Sequence, residues 1–521
     1  MFRPTLLTAV RGAGEHPAVV DDYGTASYRD LDRWSDRIAH DLDVAACGHE
    51  PHCTVLLLPN SAAWVAGYLG VLKTGGTVAP LNAALTGAEV ARILVTARPR
   101  TVLTTVERAD EITALCEQLS LATRVQTPGP VPAPRADGTE PSMRTVPQEG
   151  RGKAVGDPGA ACLIMHTSGS TGACKGVVQT GTALHLVADQ WRQQHRLPTD
   201  VVAVPLPLAH TYGHVAAAAT LLAGATLVVS SSNGPARWAD LLADRRVTVV
   251  EAVPTMYTRL LRQPALAPGA LPGLRSCITG GQGAPRVLRE EWQRRTGVAL
   301  VQNWGMTELS GPGLCADTGR PECLDSVGVP LPGLEVRLAD PADPGAEVRS
   351  GGTGELWVRG PQVTPGYRVD SRQVTPATDG DGWLHTGDLV TRDEHGCVTI
   401  AGRCKDVIMT GGYTVQPAEV EDVLRAHPAV HDAAVLGRTC PERGEAPHAL
   451  VVPHGTDPVP VDDLIAHCRN ILARYKVPRT IGFVPVLPLT AVGKLDRAAL
   501  RRLAAPSVMA APAAPTVLEQ P

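Results

Sequence analysis

Between residues 160 and 303 the chain repeats one pattern, a short run of aliphatic residues followed by a longer stretch with helical spacing. The β-type runs cover 161–165, 201–204, 225–229, 247–251, 275–279 and 299–302, and the helical stretches between them cover 183–193, 238–244, 255–261 and 287–295. Parallel strands need a long crossover between them, whereas antiparallel ones can be joined by a two-residue turn, so strand–helix alternation predicts a mainly parallel sheet. In such a sheet ligands sit beyond the carboxyl ends of the strands. An earlier helical pattern over 28–42 and a strand over 55–58 extend the same α/β class toward the amino terminus.

At 521 residues the chain exceeds the length at which one core stops growing, so at least two domains are expected. Residues 128–159 are rich in Pro, Gly and charge and read as a connector between two halves of a large domain. Beyond Gly402 the pattern restarts on a smaller scale, with helices near 417–426 and 460–473 and β-type runs at 433–437 and 449–452. The expected division is a large N-terminal domain over 1–402, a small α+β domain over 403–504 and a disordered Ala/Pro-rich tail over 505–521.

A formal charge of -4 gives no electrostatic pull toward nucleic acid. The start, Met1-Phe2-Arg3-Pro4-Thr5, lacks a signal-like apolar stretch, and the run over 215–229 is too short to span a bilayer, so a cytoplasmic protein without a membrane span is expected. Twelve scattered cysteines with no CxxC pair predict thiols that are mostly reduced and structural. Cys47, His49, His52 and Cys53 crowd four soft ligands into seven residues, too close for all to reach one metal with ease. A polar loop leading into a strand is the leading reading there, and metal binding stays open.

Three segments carry chemistry. Thr167-Ser168-Gly169-Ser170-Thr171-Gly172 with Lys175 follows a strand; glycines turn backbone N–H groups inward, hydroxyls add donors and the lysine adds positive charge, a set suited to polyphosphate. It is not a P-loop, which would need Gly-Lys-Ser/Thr where Cys174-Lys175-Gly176 stands. Asn303-Trp304-Gly305-Met306-Thr307-Glu308 also follows a strand and joins an aromatic face, a glycine, a hydroxyl and a carboxylate able to hold magnesium. Gly382 to Asp388 offers Asp388 as an acceptor for ribose hydroxyls, although taken alone this aspartate reads as a turn residue.

In this order, with Gly402-Arg403-Cys404-Lys405-Asp406 and Gly493-Lys494-Leu495-Asp496-Arg497 behind them, these segments resemble the acyl-adenylate-forming superfamily, most closely its acyl- and aryl-coenzyme A ligases. The resemblance runs from Tyr28 to Leu500 and implies a small C-terminal domain joined to the large one by a hinge. It implies that Thr167 to Gly172 and Lys175 grip the leaving pyrophosphate, with Cys174 where the family usually has proline. It further implies that Thr307 and Glu308 contact the phosphates and magnesium, that Trp304 takes the place of a tyrosine packed on adenine, and that Asp388 and Arg403 contact the ribose. Gly280, Gly281, Gln282 and Gly283 match the turn between adenine and the acyl pocket, which Gly305 and Met306 also line. His210 matches a histidine near the substrate carboxylate, its alternative being a helix cap. Lys494 matches the catalytic lysine, Lys405 the hinge, and Gly411 and Gly412 the tunnel that admits a pantetheine thiol.

Adenylating domains for α-amino acids carry an Asp early in the segment around His210, and Pro207-Leu208-Ala209-His210-Thr211-Tyr212 has none. The resemblance therefore implies ATP- and magnesium-dependent activation of a non-amino carboxylic acid. Coenzyme A is the expected thiol acceptor and the phosphopantetheine of a separate carrier protein the alternative. The small residues at Gly280, Gly281, Gly283 and Gly305 would admit a broad or elongated acid, while Trp304, Met306 and Gln282 would equally well shorten or polarise the cavity, so the acyl class stays open.

Overall fold

We analysed a computed structural model of the chain that describes residues 2–44, 52–131, 159–168, 174–232, 234–341, 343–348, 351–368, 373–410, 413–440, 444–455, 460–490 and 495–504. The alternating region builds two large sheets. One has nine strands in the order Val329–Pro330, Gly311–Cys315, Leu300–Met306, Ser276–Thr279, Val249–Ala252, Val201–Ala203, Thr226–Val228, Pro17–Val20 and Thr25–Ser27. Every pairing from Leu300–Met306 across to Pro17–Val20 is parallel, as the strand–helix alternation requires. The other has eight strands, in the order Val374–Pro376, Gly366–Arg368, Cys174–Thr180, Ala161–Ser168, Thr77–Pro80, Cys53–Leu57, Thr101–Thr104 and Arg124–Gln126. It is parallel from Ala161–Ser168 to Arg124–Gln126 and antiparallel at its other end.

Both sheets are covered on both faces, which is why their strands are continuous apolar runs. Leu56, Leu103 and Leu163 of the eight-stranded sheet and Val202, Leu227, Val249 and Ile278 of the nine-stranded sheet face one shared core. Their sequence neighbours point the other way: Val55, Val102 and Ile164 pack on helices Gly87–Ala97 and Val106–Gln118, and Ala203, Val228, Val250 and Cys277 on Pro235–Asp244, Pro254–Leu260 and Arg286–Thr296. Helices lie between the sheets. In two of them, Ala62–Lys73 and Thr211–Leu222, nearly every residue is buried, the pattern of a helix enclosed on all sides rather than packed on one face. Their one direct polar link is His214 Nε2 to the Tyr68 hydroxyl at 2.8 Å, and burial holds that imidazole down to about 3, so it stays neutral.

A third sheet, absent from the sequence reading, is antiparallel: Glu335–Ala339, Thr353–Arg359, Leu384–Arg392 and Val398–Arg403. Its core of Leu338, Leu356, Val358, Val390 and Val398 is continuous with Trp304 and Leu314 of the nine-stranded sheet and with Leu309 in the turn between their strands. The small domain folds the hairpin Val430–Cys440 and Gly444–Pro453 over helices Pro417–Arg425 and Val461–Ile471, with helix Arg497–Leu503 on the opposite face. Arg262 of the large domain meets the His431 ring of the small one.

Eight described cysteines are free and seven of those are buried, in line with reduced structural thiols, but Cys323 and Cys397 form a disulfide with Cα atoms 5.4 Å apart. The pair is brought together by chain separated by 74 positions, so no local spacing signals it. Cys53 lies in the core on its strand, while Cys47 and His49 fall outside the described residues, as does most of the 128–159 connector and the tail. Among the described residues no cluster of three or more His, Cys, Asp or Glu is placed to hold a metal. No helix among them is long and apolar enough to cross a membrane.

On the strand Val249–Ala252 of the nine-stranded sheet, Glu251 accepts from the Trp191 indole at 3.0 and 3.1 Å and pairs with Arg196, whose other N–H groups reach Thr220 Oγ1 at 3.2 Å and the His195 carbonyl at 3.1 Å. Both charged side chains are fully buried. Glu251→Ala strands the guanidinium in the core, and a loss of about 3–5 kcal/mol is expected in urea unfolding; Glu251→Gln, which still accepts from both donors, should lose visibly less.

Candidate active site

The residues singled out by sequence gather where the parallel strands end. Gly280, Gly281, Gln282 and Gly283 follow the carboxyl end of Ser276–Thr279, and Thr307 and Glu308 form a 3-10 turn directly after Leu300–Met306. Gly281 sits at φ +86°, a conformation that disfavours side chains. Gly305 allows the hairpin with Gly311–Cys315 to close, since a Cβ there would lie 2.3 Å from the Gly311 carbonyl oxygen. The space left by Gly280 is taken by the Asn303 side chain, which a Cβ would approach to 2.6 Å, whereas nothing lies within 4 Å of the Cβ position of Gly283. Two of the four glycines thus make room for the protein itself rather than for a ligand. Met306 ends its strand partly buried against the third-sheet core.

Toward the third sheet, Asp388 and Arg403 are register partners on neighbouring strands. Asp388 is 6% exposed and sits within a strand, not in a turn. One carboxylate oxygen takes the Arg403 Nε–H at 2.9 Å, and the other takes the Trp304 indole N–H at 2.9 Å. Trp304 is itself 8% exposed and packs in the core that joins two sheets, and its N–H orients the aspartate.

On the opposite side, the strands Ala161–Ser168 and Cys174–Thr180 pair antiparallel and bring Thr167 opposite Lys175 and Ser168 opposite Cys174. Gly169, Ser170, Thr171 and Gly172 lie outside the described residues. The Lys175 ammonium stands 5.1 Å above the ring of Tyr367, and the Tyr367 hydroxyl donates to Glu308 Oε1 at 3.0 Å. No lysine or arginine among the described residues forms an ion pair with Glu308. The buried Gln179 amide donates to the Thr307 carbonyl at 2.9 Å and faces Thr211 Oγ1 at 3.4 Å, tying the Thr-Glu turn to the start of helix Thr211–Leu222. His210 is the N-cap of that helix, its Nδ1 accepting the Tyr212 N–H at 3.3 Å, so the capping role is realised beside the position the resemblance gives it.

Tyr367 and Gln179 were not identified from sequence. Tyr367 occupies a three-residue strand with no periodicity, and Gln179 is a single polar residue in an apolar run; their partners lie 59 and 128 residues away. Nothing local announces either one.

Past Arg403 the chain makes a 3-10 turn, Cys404–Asp406, which contains Lys405. Asp406 pairs with Arg497 at 3.4 Å and Arg501 at 2.9 Å, both on the last small-domain helix. Lys494, Gly411 and Gly412 lie outside the described residues. The flanks of Lys494 are pinned: Leu489 and Leu495 form an antiparallel bridge, the Asp496 N–H donates to the Pro488 carbonyl at 2.9 Å, and Asp496 caps helix Arg497–Leu503.

The AMP-binding enzyme family matches residues 6–368, and the AMP-binding enzyme C-terminal domain matches residues 419–494. A feruloyl-CoA synthase from an Amycolatopsis species is 34% identical over 493 residues, spanning 94% of this chain and 96% of its own. Among solved structures, ATP-bound MatB from Rhodopseudomonas palustris superposes with a TM-score of 0.84 at 27% identity, over 98% of this chain and 100% of that one. A benzoate CoA ligase from Burkholderia xenovorans superposes with a TM-score of 0.82 at 27% identity, over 96% and 99%.

The indole–carboxylate bond at the site has a direct thermodynamic test. A double-mutant cycle of Trp304→Phe with Asp388→Ala should give a coupling of about 1.5–3 kcal/mol in chemical denaturation, the range for a hydrogen bond to a charged group. Additivity within about 0.5 kcal/mol would mean that the indole does not hold the carboxylate.

Proposed function

The chain belongs to the AMP-binding enzyme family as an AMP-forming acid–thiol ligase, and from that premise we propose that it joins a non-amino carboxylic acid to coenzyme A in two steps that share this site. In the first, acid and ATP give the acyl-adenylate and pyrophosphate. In the second, the coenzyme A thiol attacks the adenylate and AMP leaves. The observation that carries this reading is the unneutralised Glu308 carboxylate set across Tyr367 from the Lys175 ammonium, at the carboxyl end of a parallel strand. One charged group there suits phosphate oxygens and the other a hard divalent cation.

A carboxylate without a cationic partner, next to the Thr307 hydroxyl, is the donor type that magnesium takes. Glu308 would hold the ion, whose charge offsets that of the phosphates. Lys175, with Thr167, Ser168, Gly169, Ser170, Thr171 and Gly172, would bind the departing pyrophosphate. Asp388, already oriented by Trp304 and Arg403, would receive the ribose hydroxyls. The adenine would lie between Trp304 and the Gly281-Gln282 turn, and the acid would enter past His210 and Met306.

Attack of a carboxylate on the α-phosphate brings two anions together, and a fixed ammonium from Lys494 would offset the charge that builds in that transition state. Turning about Lys405 would then withdraw Lys494 and bring Gly411 and Gly412 up to admit the pantetheine arm, so that one pocket serves both steps. The segment 207–212 offers no carboxylate for a substrate amine, which supports a non-amino acid. Aromatic acids are the first class to try, because two of the similar proteins are named for ferulate and benzoate.

The test is pyrophosphate release with ATP and magnesium across aryl, aliphatic and amino acids, with and without coenzyme A. Release with a non-amino acid, and turnover to AMP and thioester only when coenzyme A is present, is expected; release that coenzyme A never carries forward would exclude it as the acceptor. Lys494→Ala should abolish pyrophosphate release yet still convert a supplied adenylate to thioester, and equal loss of both steps would contradict its role. Lys405→Pro should slow thioester formation, and a wild-type rate would remove it as the pivot.

A further inference from the structure

Lys175 and Glu308 pose a problem that the site has to solve. They are opposite charges on adjoining segments, and an ammonium and a carboxylate left facing one another pair, which would neutralise both before any ligand arrived. Tyr367 stands between them. Its strand, Gly366–Arg368, pairs antiparallel with Cys174–Thr180 so that Tyr367 lies opposite Val177. Lys175, two residues along, is then the diagonal neighbour on the same face, within reach of an aromatic ring. The ammonium sits 5.1 Å from the ring centroid, attracted by the ring without being discharged. The phenol donates to Glu308 Oε1 at 3.0 Å, so that oxygen is fixed by a neutral donor rather than by a cation.

The backbone of Glu308 is held by the same short stretch. Thr364 N–H donates to the Glu308 carbonyl at 2.7 Å, and the Thr364 hydroxyl is locked by the Val178 carbonyl at 2.5 Å and the Gly366 N–H at 3.0 Å. Glu308 is therefore gripped at main chain and side chain by residues 364–367, which are in turn sewn to the strand that carries Lys175.

We propose that Tyr367 is a positioning residue for the nucleotide–metal half of the site: it keeps Lys175 and Glu308 apart and charged, and it aims the Glu308 carboxylate for the divalent ion. This rests on the ATP- and magnesium-dependent reading given above. Tyr367→Phe keeps the ring under Lys175 and removes only the hydroxyl. Tyr367→Leu removes both and lets Lys175 and Glu308 close on each other.

The experiment is calorimetric titration of ATP binding over a series of magnesium concentrations, with no acid present, on the unsubstituted chain and both variants, and thermal unfolding as the control for folding. In Tyr367→Phe the magnesium concentration for half-maximal enhancement of ATP binding should rise about 10-fold, the scale of one lost hydrogen bond to a charged group, while ATP affinity without magnesium stays unchanged. In Tyr367→Leu the magnesium-free affinity should fall as well, because Lys175 is then neutralised by Glu308. A shift below about threefold in Tyr367→Phe overturns the proposal, and that variant decides the matter even where Tyr367→Leu does not fold. If the unsubstituted chain shows no magnesium-dependent ATP binding, the underlying reading falls and this one with it.

Discussion

The structure hangs on the helical layer held between the two large sheets. Ala62–Lys73 and Thr211–Leu222 have no face to spare for solvent, and each sheet uses that layer as the cover for one of its own faces. Because interiors pack at crystal-like density, a layer enclosed on both sides fixes the separation and relative tilt of the sheets with little freedom. That decides where the strand ends lie. The Thr-Glu turn reaches the layer through Gln179 and Thr211, and the histidine that caps Thr211–Leu222 stands at its rim. The turn that carries Glu308 is thus tied to a closely packed layer, as a preorganised electrostatic site requires.

Around that layer the site is assembled by cross-sheet bonds rather than by one loop. Asp388 belongs to the third sheet and Trp304 to the nine-stranded one, while Tyr367 belongs to the eight-stranded sheet and Glu308 follows a strand of the nine-stranded one. Each bond joins a residue with a proposed chemical task to one that holds it in place. In both pairs the holder is an aromatic residue that offers a hydrogen-bond donor at the end of an apolar body, which lets it be buried and still orient a carboxylate.

The parallel strands could be read from the chain because double burial makes them continuous apolar runs, as in Val55 to Leu58, and because crossover helices space them regularly. The third sheet hid itself for the opposite reason: its strands are only partly buried, glycine interrupts them at Gly354, Gly387 and Gly402, and burial along Glu335–Ala339 does not alternate cleanly. Motif residues such as Lys175, Glu308, Asp388 and Arg403 stood out by type and order, but Tyr367 and Gln179 did not, and Trp304 stood out for its ring and not for the N–H that meets Asp388. Trp304 and Asp388 are 84 residues apart, Tyr367 and Glu308 59, and Cys323 and Cys397 74. Such pairs are properties of the folded topology, and no local window contains both members.

The anchoring of Asp406 sets the mechanics of the small domain. Arg403 is still hydrogen-bonded into the third sheet, yet three residues later Asp406 is clamped by Arg497 and Arg501, and Arg497 also reaches Glu421 and the Val435 carbonyl. Were the small domain to turn at Lys405 as proposed above, only Cys404 and Lys405 would separate the bond at Arg403 from the clamp at Asp406. A joint that short would act as an axle rather than a tether, permitting rotation and almost no translation. Leu495 and Asp496, which lead into the helix whose Arg497 grips Asp406, would then move as one body with that clamp.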